Sequence, residues 1–207
     1  MWIDEAVRGS EGPRMAERLE RLILVRHGET EGQSSIRYFG ATDVPLSDLG
    51  REQVRRARER IAGEAFEVVF ASSLSRASES ARILAPDHLI RLEADFREVD
   101  FGRWEGLTRE EIAACDPELF EVWQRNLAHF DYPEGERRAD FRARIARGLD
   151  RLLASGASSA LVVAHKGVVR TLLELVNGET LESAAPELAG VIHVWRDSLG
   201  QWLRGKP

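Results

Sequence analysis

Three short, mostly apolar runs constrain the fold of this chain more than any other feature. They cover residues 22–25, 66–71 and 160–164. A run of this length without polar alternation is typical of a strand buried on both faces. Segments with helical spacing of apolar residues lie between them, such as Val54, Ala57 and Ile61. Strands that alternate with helices predict an α/β fold, a three-layer α/β/α sandwich around a mainly parallel sheet.

Local signals predict where several other elements begin and end. Ser47 or Asp48 is suited to cap the helix that carries Val54. Thr108 and Glu111 form a capping box, and Pro117 occupies a first helical position. A long amphipathic helix is expected from Phe141 to near Gly156, and another over 168–176 before Asn177-Gly178. Residues 191–196 and 201–204 flank a turn and predict a terminal hairpin.

The length of 207 residues suits one domain. We expect residues 1–20 to be a flexible N-terminal extension, because turn residues are frequent there and few side chains could pack. Met15 is then an alternative natural start. Residues 21–207 would form a single domain, with an insertion around 100–140 over one end of the sheet.

Composition excludes several kinds of partner. The net charge is -6 and the pI is near 5.5, which disfavours binding to nucleic acid or to an anionic membrane. The chain has one cysteine, so an intramolecular disulfide is ruled out, and no apolar run is long enough to span a membrane. We therefore expect a cytoplasmic protein. The oligomeric state stays open, with a homodimer among the alternatives.

Polar and cationic side chains follow each of the three predicted strands. Arg26-His27-Gly28 follows the first, the segment 72–76 ending in Arg76 follows the second, and His165-Lys166-Gly167 follows the third. Ligands of open α/β sheets bind beyond the carboxyl ends of the strands, so these groups should converge. Clustered cations repel one another unless an anion lies among them, and phosphate suits arginine forks and helix amides best.

A histidine in such a cluster suggests covalent chemistry. A neutral imidazole nitrogen is a nucleophile toward phosphorus. Arg26 and Arg76 should lower the pKa of His27 and keep its ring neutral near pH 7. We expect Gly28 to leave room for the phosphate and the helix after His165 to aim its amides at the same place.

The leaving oxygen of a phosphate ester needs a proton. Glu98, Asp100 and Glu105 lie in one segment that could supply it. Their spacing does not select one of the three.

Six segments of the chain resemble the histidine phosphatase superfamily, also called the phosphoglycerate mutase-like family. They occur in the expected order over residues 22–176. The segments are LVRHGET at 24–30, GATDVPLSDLG at 40–50, SSLSRA at 72–77, FREVDFGRWEG at 96–106, PEGE at 133–136 and AHKGVVR at 164–170. A single RHG would be weak, whereas six ordered segments are specific.

The resemblance implies a phosphoglycerate mutase-like fold and a role for each matching residue. His27 would be the nucleophile that becomes phosphohistidine. Arg26, Arg76 and His165 would bind the phosphoryl group of a small phosphorylated substrate. Glu98 would be the acid and then the base, a choice that spacing could not make. No metal and no cofactor would be required, because the arginines supply the positive charge.

Three positions depart from the family pattern. Gln33 stands where Asn is common, and it keeps the amide that could contact phosphate. Lys166 follows His165 where a small or amide residue is commoner, and it is either a surface lysine or a contact to a second anionic group. Arg137 follows the PEGE segment where Ser or Thr is common. None of them removes a core catalytic position.

The phosphatase branch fits best, because Trp104-Glu105-Gly106 is present and both insertion and tail are short. A cofactor-dependent phosphoglycerate mutase remains an alternative. A phospho-ligand sensor is another, with Arg137 or Lys166 blocking the mouth. A dinucleotide-binding oxidoreductase is excluded, since no GxGxxG follows the first strand.

Six aromatic residues could form a partly apolar wall for the substrate or could pack the insertion onto the sheet: Tyr38, Phe39, Trp104, Trp123, Phe130 and Tyr132.

Overall fold

One mixed sheet forms the centre of the molecule. The computed structural model describes residues 19–126, 130–178 and 186–206. Its strands are β1 Arg21–Arg26, β2 Val68–Ser72, β3 Ile90–Glu93, β4 Ser159–Ala164, β5 Val191–Arg196 and β6 Trp202–Arg204. They are ordered β3-β2-β4-β1-β5-β6. The first four in this order are parallel. β5 pairs antiparallel with β1, and β6 pairs antiparallel with β5, which is the predicted terminal hairpin.

The helices begin and end close to the predicted signals. They are α1 Asp48–Arg60, α2 Ser75–Leu84, α3 Arg109–Cys115, α4 Pro117–Arg125, α5 Arg138–Leu153 and α6 Lys166–Asn177. The Ser47 side chain caps α1, and the capping box of α3 is complete. Helix α6 ends at Gly178, whose φ of 74° is the left-handed conformation that glycine favours.

Alternate residues of the strands face two separate cores. Ile23 and Val25 of β1 pack with the buried face of α1 and α2, whereas Leu22 and Leu24 pack with α5 and α6. The sheet is therefore covered on both sides, which confirms the three-layer α/β/α sandwich. Among the described residues, no helix combines the length and the apolar character that crossing a bilayer requires.

Residues 19 and 20 and strand β3 differ from what the sequence predicts. The N-terminal extension falls mostly on residues 1–18, which lie outside the described residues. Leu19 is buried and the Glu20 amide donates to Ser158 O, so the packed part of the chain already includes residues 19 and 20. Strand β3 was not predicted, because its Arg91 and Leu92 are both exposed at the sheet edge and its apolar pattern is weak.

The register of the sheet places two histidines side by side. Arg26, the last residue of β1, pairs with Ala164, the last residue of β4. His27 and His165 therefore leave the sheet at the same level, and the His27 amide donates to Ala164 O at 3.0 Å. β2 lies on the other side of β4 and brings Ser72 to the same edge.

Candidate active site

The predicted site residues converge at the carboxyl edge of the sheet. The rings of His27 and His165 lie 5.1 Å apart between centroids, at an interplanar angle of 61°. Arg76 and His165 are fully buried, while His27 is 3% and Glu98 7% exposed. Buried charged and imidazole groups of this kind are uncommon outside functional sites.

The hydrogen bond of His27 defines its tautomer. Its Nδ1 lies 2.7 Å from Gly28 O. A carbonyl oxygen only accepts, so Nδ1 carries the hydrogen and Nε2 carries the lone pair. Burial, followed by the charges of Arg76 and Arg26, lowers the pKa of His27 well below 6.5. The ring is therefore neutral at pH 7, as predicted, and Nε2 is the nitrogen that can act as a nucleophile.

Arg76 is held by the backbone of the loop before α1. Nη1 donates to Thr42 O at 2.8 Å, and Nη2 donates to Gly40 O and Phe39 O at 2.7 and 3.1 Å. Its Nε donates to His165 Nδ1 at 3.2 Å. Arg76 thus fixes this loop as well as bringing positive charge to the site, a second task that the sequence did not indicate.

His165 uses both ring nitrogens within the protein. Since Nδ1 accepts from Arg76, Nε2 carries the hydrogen and donates to Ser72 Oγ at 2.8 Å. Burial, and then repulsion from Arg76, lowers the pKa of His165 well below 6.5. A phosphoryl group that accepts a hydrogen bond from His165 must therefore replace its contact to Arg76 or to Ser72.

Arg26 is half-buried beside the two rings. Its Nη1 donates to Pro186 O at 3.5 Å, whereas its Nε is buried and has no hydrogen-bond partner among the described residues. The amide of Ala189 donates to His27 O at 3.0 Å. Residues 186–190 thereby hold the Arg26-His27 pair from the side opposite to Ala164.

The structure separates the three candidate acids. Glu98 reaches the site, where its carboxylate accepts from the Gly167 and Val99 amides, both at 3.0 Å. The Asp100 side chain accepts from the Gly102 amide in its own turn. Glu105 accepts from four backbone amides, those of Gly40, Ala41, Thr42 and Phe101. Glu105 therefore fastens the loop that holds Arg76.

The structure gives two backbone features of the site contacts that the sequence did not indicate. The Gly167 amide, at the start of α6, donates to the Glu98 carboxylate. At Gly28, an added Cβ would lie 2.4 Å from Gly50 O, so the glycine is required by the backbone of α1. Both contacts join positions far apart in sequence, which local reasoning does not reach.

The three residues that depart from the family pattern lie around the site. Gln33 is exposed, has a φ of 63° and makes no side-chain hydrogen bond to the described residues. The ion pair of Arg137 with Asp140 at 2.7 Å keeps its 70% exposed side chain on the surface. Lys166 is exposed, and partial burial together with Arg170 and Arg26 lowers its pKa. Neither Arg137 nor Lys166 is buried in the site.

Most of the proposed aromatic wall is core. Trp104 stacks on Phe130 with centroids 5.3 Å apart, and Trp123 and Tyr132 contact Trp104 edge-on. These four residues are at most 7% exposed, so they pack the insertion onto the sheet. Tyr38 and Phe39 remain partly exposed.

Sequence reasoning gave no role to three charged residues near Glu98. Arg170 was noted only as part of the AHKGVVR segment, and its Nε is buried without a hydrogen-bond partner among the described residues. Glu136 forms an ion pair with Arg144, with Oε1 2.7 Å from Nε. The position of Arg144 between the buried Phe141 and Ile145 was the available signal, since a cation near an apolar helix face needs partners.

Comparison with known proteins identifies the family that this chain matches. Residues 22–192 match the model of the histidine phosphatase superfamily, branch 1. A bifunctional protein of Mycobacterium tuberculosis is 37% identical over 161 residues, which cover 75% of this chain and 43% of that protein. The chain thus matches less than half the length of this relative.

Two further similarities extend over most of both chains. The adenosylcobalamin/alpha-ribazole phosphatase of Escherichia coli is 30% identical over 79% of this chain and 82% of its own length. The crystal structure of the alpha-ribazole phosphatase from Shigella flexneri superposes with a TM-score of 0.78 at 26% identity, covering 89% of this chain and 94% of that chain. The fold is shared along nearly the whole of the described chain.

Proposed function

Since the chain belongs to the histidine phosphatase superfamily, we propose that it hydrolyses a phosphomonoester of a small metabolite through a phosphohistidine at His27. The observation that carries this proposal is the tautomer of His27. Its Nδ1 hydrogen is bound by Gly28 O, and Nε2 keeps its lone pair on a ring whose pKa burial, Arg76 and Arg26 lower. A neutral, oriented imidazole beside fixed positive charge suits attack on phosphorus.

The reaction proceeds in two displacements. The lone pair of His27 Nε2 forms a bond to phosphorus while the ester P–O bond breaks, and Glu98 gives its proton to the leaving oxygen. Arg26 and Arg76 stabilise the charge on the phosphoryl oxygens, and His165 does so after exchanging one of its present contacts. Glu98 then takes a proton from water as the water attacks phosphorus, which releases phosphate and restores His27.

The charges beside Glu98 favour a substrate with a second anionic group. Arg142 of α5 pairs with Glu174 of α6 at 3.1 Å, and one turn nearer the site the corresponding residues are Arg138 and Arg170. We call Arg138, Arg170 and Lys166 the cationic rim. Burial lowers the pKa of Arg170 most, the charge of Glu98 opposes this effect, and repulsion from Arg138 adds to it. A carboxylate or second phosphate on the substrate would relieve this repulsion.

Phosphate release from a panel of esters, in excess EDTA, tests the function. The panel includes p-nitrophenyl phosphate, both phosphoglycerates, fructose 2,6-bisphosphate, nucleotides and α-ribazole phosphate. We expect EDTA-resistant release that disappears in His27→Ala. Exchange between the phosphoglycerates without net release would favour the mutase instead, and binding without either reaction would favour a sensor.

The rim has its own test within that panel. Arg170→Gln should raise the KM for the best doubly anionic substrate by about tenfold, the effect of one charge-assisted contact, and leave p-nitrophenyl phosphate nearly unchanged. Arg142→Gln is the matched control on the neighbouring helix, because its ion pair with Glu174 lies one turn away from the rim. An equal change for both substrates would contradict recognition of a second anion.

A further inference from the structure

The segment that carries Glu98 is bound by one fully satisfied guanidinium. Arg144 of α5 donates through Nη1 to Asp95 O and Arg97 O, at 2.7 and 2.6 Å. Its Nη2 donates to Glu98 O at 2.9 Å. The remaining two hydrogens, on Nε and Nη2, bind the two carboxylate oxygens of Glu136 at 2.7 and 2.9 Å. All five N–H groups of Arg144 are therefore used.

Glu136 completes the arrangement from the other end of the same segment. Its amide donates to Asp100 O at 3.0 Å, so it contacts the chain two residues beyond Glu98. Its carboxylate neutralises Arg144 in a bidentate pair whose side chains are only 14% and 19% exposed. Arg144 thus fixes the carbonyls of Asp95, Arg97 and Glu98, and Glu136 fixes that of Asp100. Neither Arg144 nor Glu136 touches the two histidines of the site.

The side chain of Glu98 is fixed independently of its backbone. Its carboxylate accepts from the Gly167 amide at the start of α6, at 3.0 Å. Arg144, on α5, holds the carbonyl of the same residue. With both ends attached to different helices, the position of the carboxylate relative to His27 depends on the distance that Arg144 sets between α5 and the Glu98 backbone.

We propose that the Arg144–Glu136 pair is a positioning device for Glu98, setting the place from which that residue transfers its proton. The inference rests on the proposed function, since it requires Glu98 to act as the acid and base. Arg144 and Glu136 are positioning residues, because they act through Glu98.

A neighbouring arginine provides the contrast. Arg151 of α5 also binds this region, through the carboxylates of Glu93 and Asp95. It is 50% exposed and contacts side chains at the start of the segment, with no bond to the backbone of Glu98. Arg151 therefore braces the same loop without setting the position of the acid, and Arg151→Lys is the matched control.

The test compares Arg144→Lys and Glu136→Gln with Arg151→Lys, each in the wild type and in Glu98→Gln. Lysine keeps the charge of Arg144 but offers three hydrogens from one point instead of five from a plane. For an alkyl phosphate ester we expect kcat/KM, which reports the phosphorylation step, to fall about tenfold or more, because protonation of a poor leaving group is impaired. For p-nitrophenyl phosphate, whose leaving group needs no proton, the fall should be several-fold smaller.

The Glu98→Gln background distinguishes positioning of the acid from general stabilisation of its loop. In Glu98→Gln, Arg144→Lys and Glu136→Gln should add almost no further loss for the alkyl ester, because the group they position is already gone. Arg151→Lys should leave kcat/KM unchanged for both esters. Equal losses for both esters, or the same fold-loss in the Glu98→Gln background, would overturn the inference while His27-dependent release in the wild type keeps the proposed function. Wild type without such release would overturn both.

Discussion

The contact between His27 Nδ1 and Gly28 O determines which nitrogen of that ring is available for chemistry. The sequence places a histidine at the end of a strand, and the family resemblance makes it the nucleophile. It does not give the tautomer, because the tautomer depends on the direction of the next carbonyl. His165 is a second example, since its hydrogen bonds to Arg76 and Ser72 join three separate segments.

Replacing Glu98 by Gln tests the proton transfer. The amide keeps the size of the side chain but lacks the transferable proton, so kcat/KM, which reports the phosphorylation of His27, should fall about a hundredfold for alkyl esters. The loss should be much smaller for p-nitrophenyl phosphate. Steady-state kinetics over a series of leaving groups measure this difference, and equal losses along the series would show that Glu98 is not the acid.

Glu105→Gln is the control for that experiment. Glu105 accepts hydrogen bonds from four backbone amides, and an amide side chain would turn a donor toward some of them. We expect a loss of about 2 kcal/mol in the free energy of unfolding, with no dependence of the activity on the leaving group. Urea denaturation and the same leaving-group series test both parts.

At the scale of elements, strands and helices follow from local pattern, whereas their mutual contacts do not. The caps of α1 and α3 and the end of α6 lie where turn and capping residues predict them. Strand β3 has no apolar alternation and needs β2 beside it to be recognised. The close approach of Gly28 to Gly50 is likewise a tertiary contact.

Gly28→Ala distinguishes the structural from the ligand-based reason for that glycine. A methyl group would lie 2.4 Å from Gly50 O, and backbone on both sides cannot easily yield. The free energy of unfolding should fall by about 2 kcal/mol or more, as for overpacking in a core. Thermal or urea unfolding measures it. A variant of unchanged stability that binds inorganic phosphate weakly would instead support the original expectation that Gly28 makes room for phosphate.

At the scale of the whole molecule, the acidic chain concentrates cations at one edge of its sheet. The net charge is -6, yet four cations cluster near Glu98: Arg26, Arg76, Arg170 and Lys166. The sequence indicates this cluster because three strands end in cationic segments. It does not give the rim on α5 and α6, whose register is fixed only when the two helices pack.

The two buried histidines link stability to pH. Their pKa values in the folded protein lie well below 6.5, the value expected in the unfolded chain. As the pH falls below 6.5, the unfolded chain takes up protons that the folded protein does not, so folding becomes less stable. Each histidine contributes up to about 1.4 kcal/mol per pH unit, until the pH reaches its folded pKa.

His27→Gln measures one half of this effect. The free energy of unfolding of the variant should decrease less steeply than that of the wild type between pH 6.5 and 5, by up to about 1.4 kcal/mol per pH unit. Urea titrations at several pH values provide the slopes. Identical slopes would mean that His27 is as easily protonated in the folded protein as in the unfolded chain.

Trapping the covalent intermediate tests the central claim most directly. In Glu98→Gln, p-nitrophenyl phosphate can still phosphorylate His27, because its leaving group needs no acid, whereas hydrolysis lacks its base. Rapid quenching and mass spectrometry should then find one acid-labile phosphoryl group on the peptide that contains His27. Burst release of nitrophenol without phosphate on His27, or with phosphate on another residue, would contradict the account.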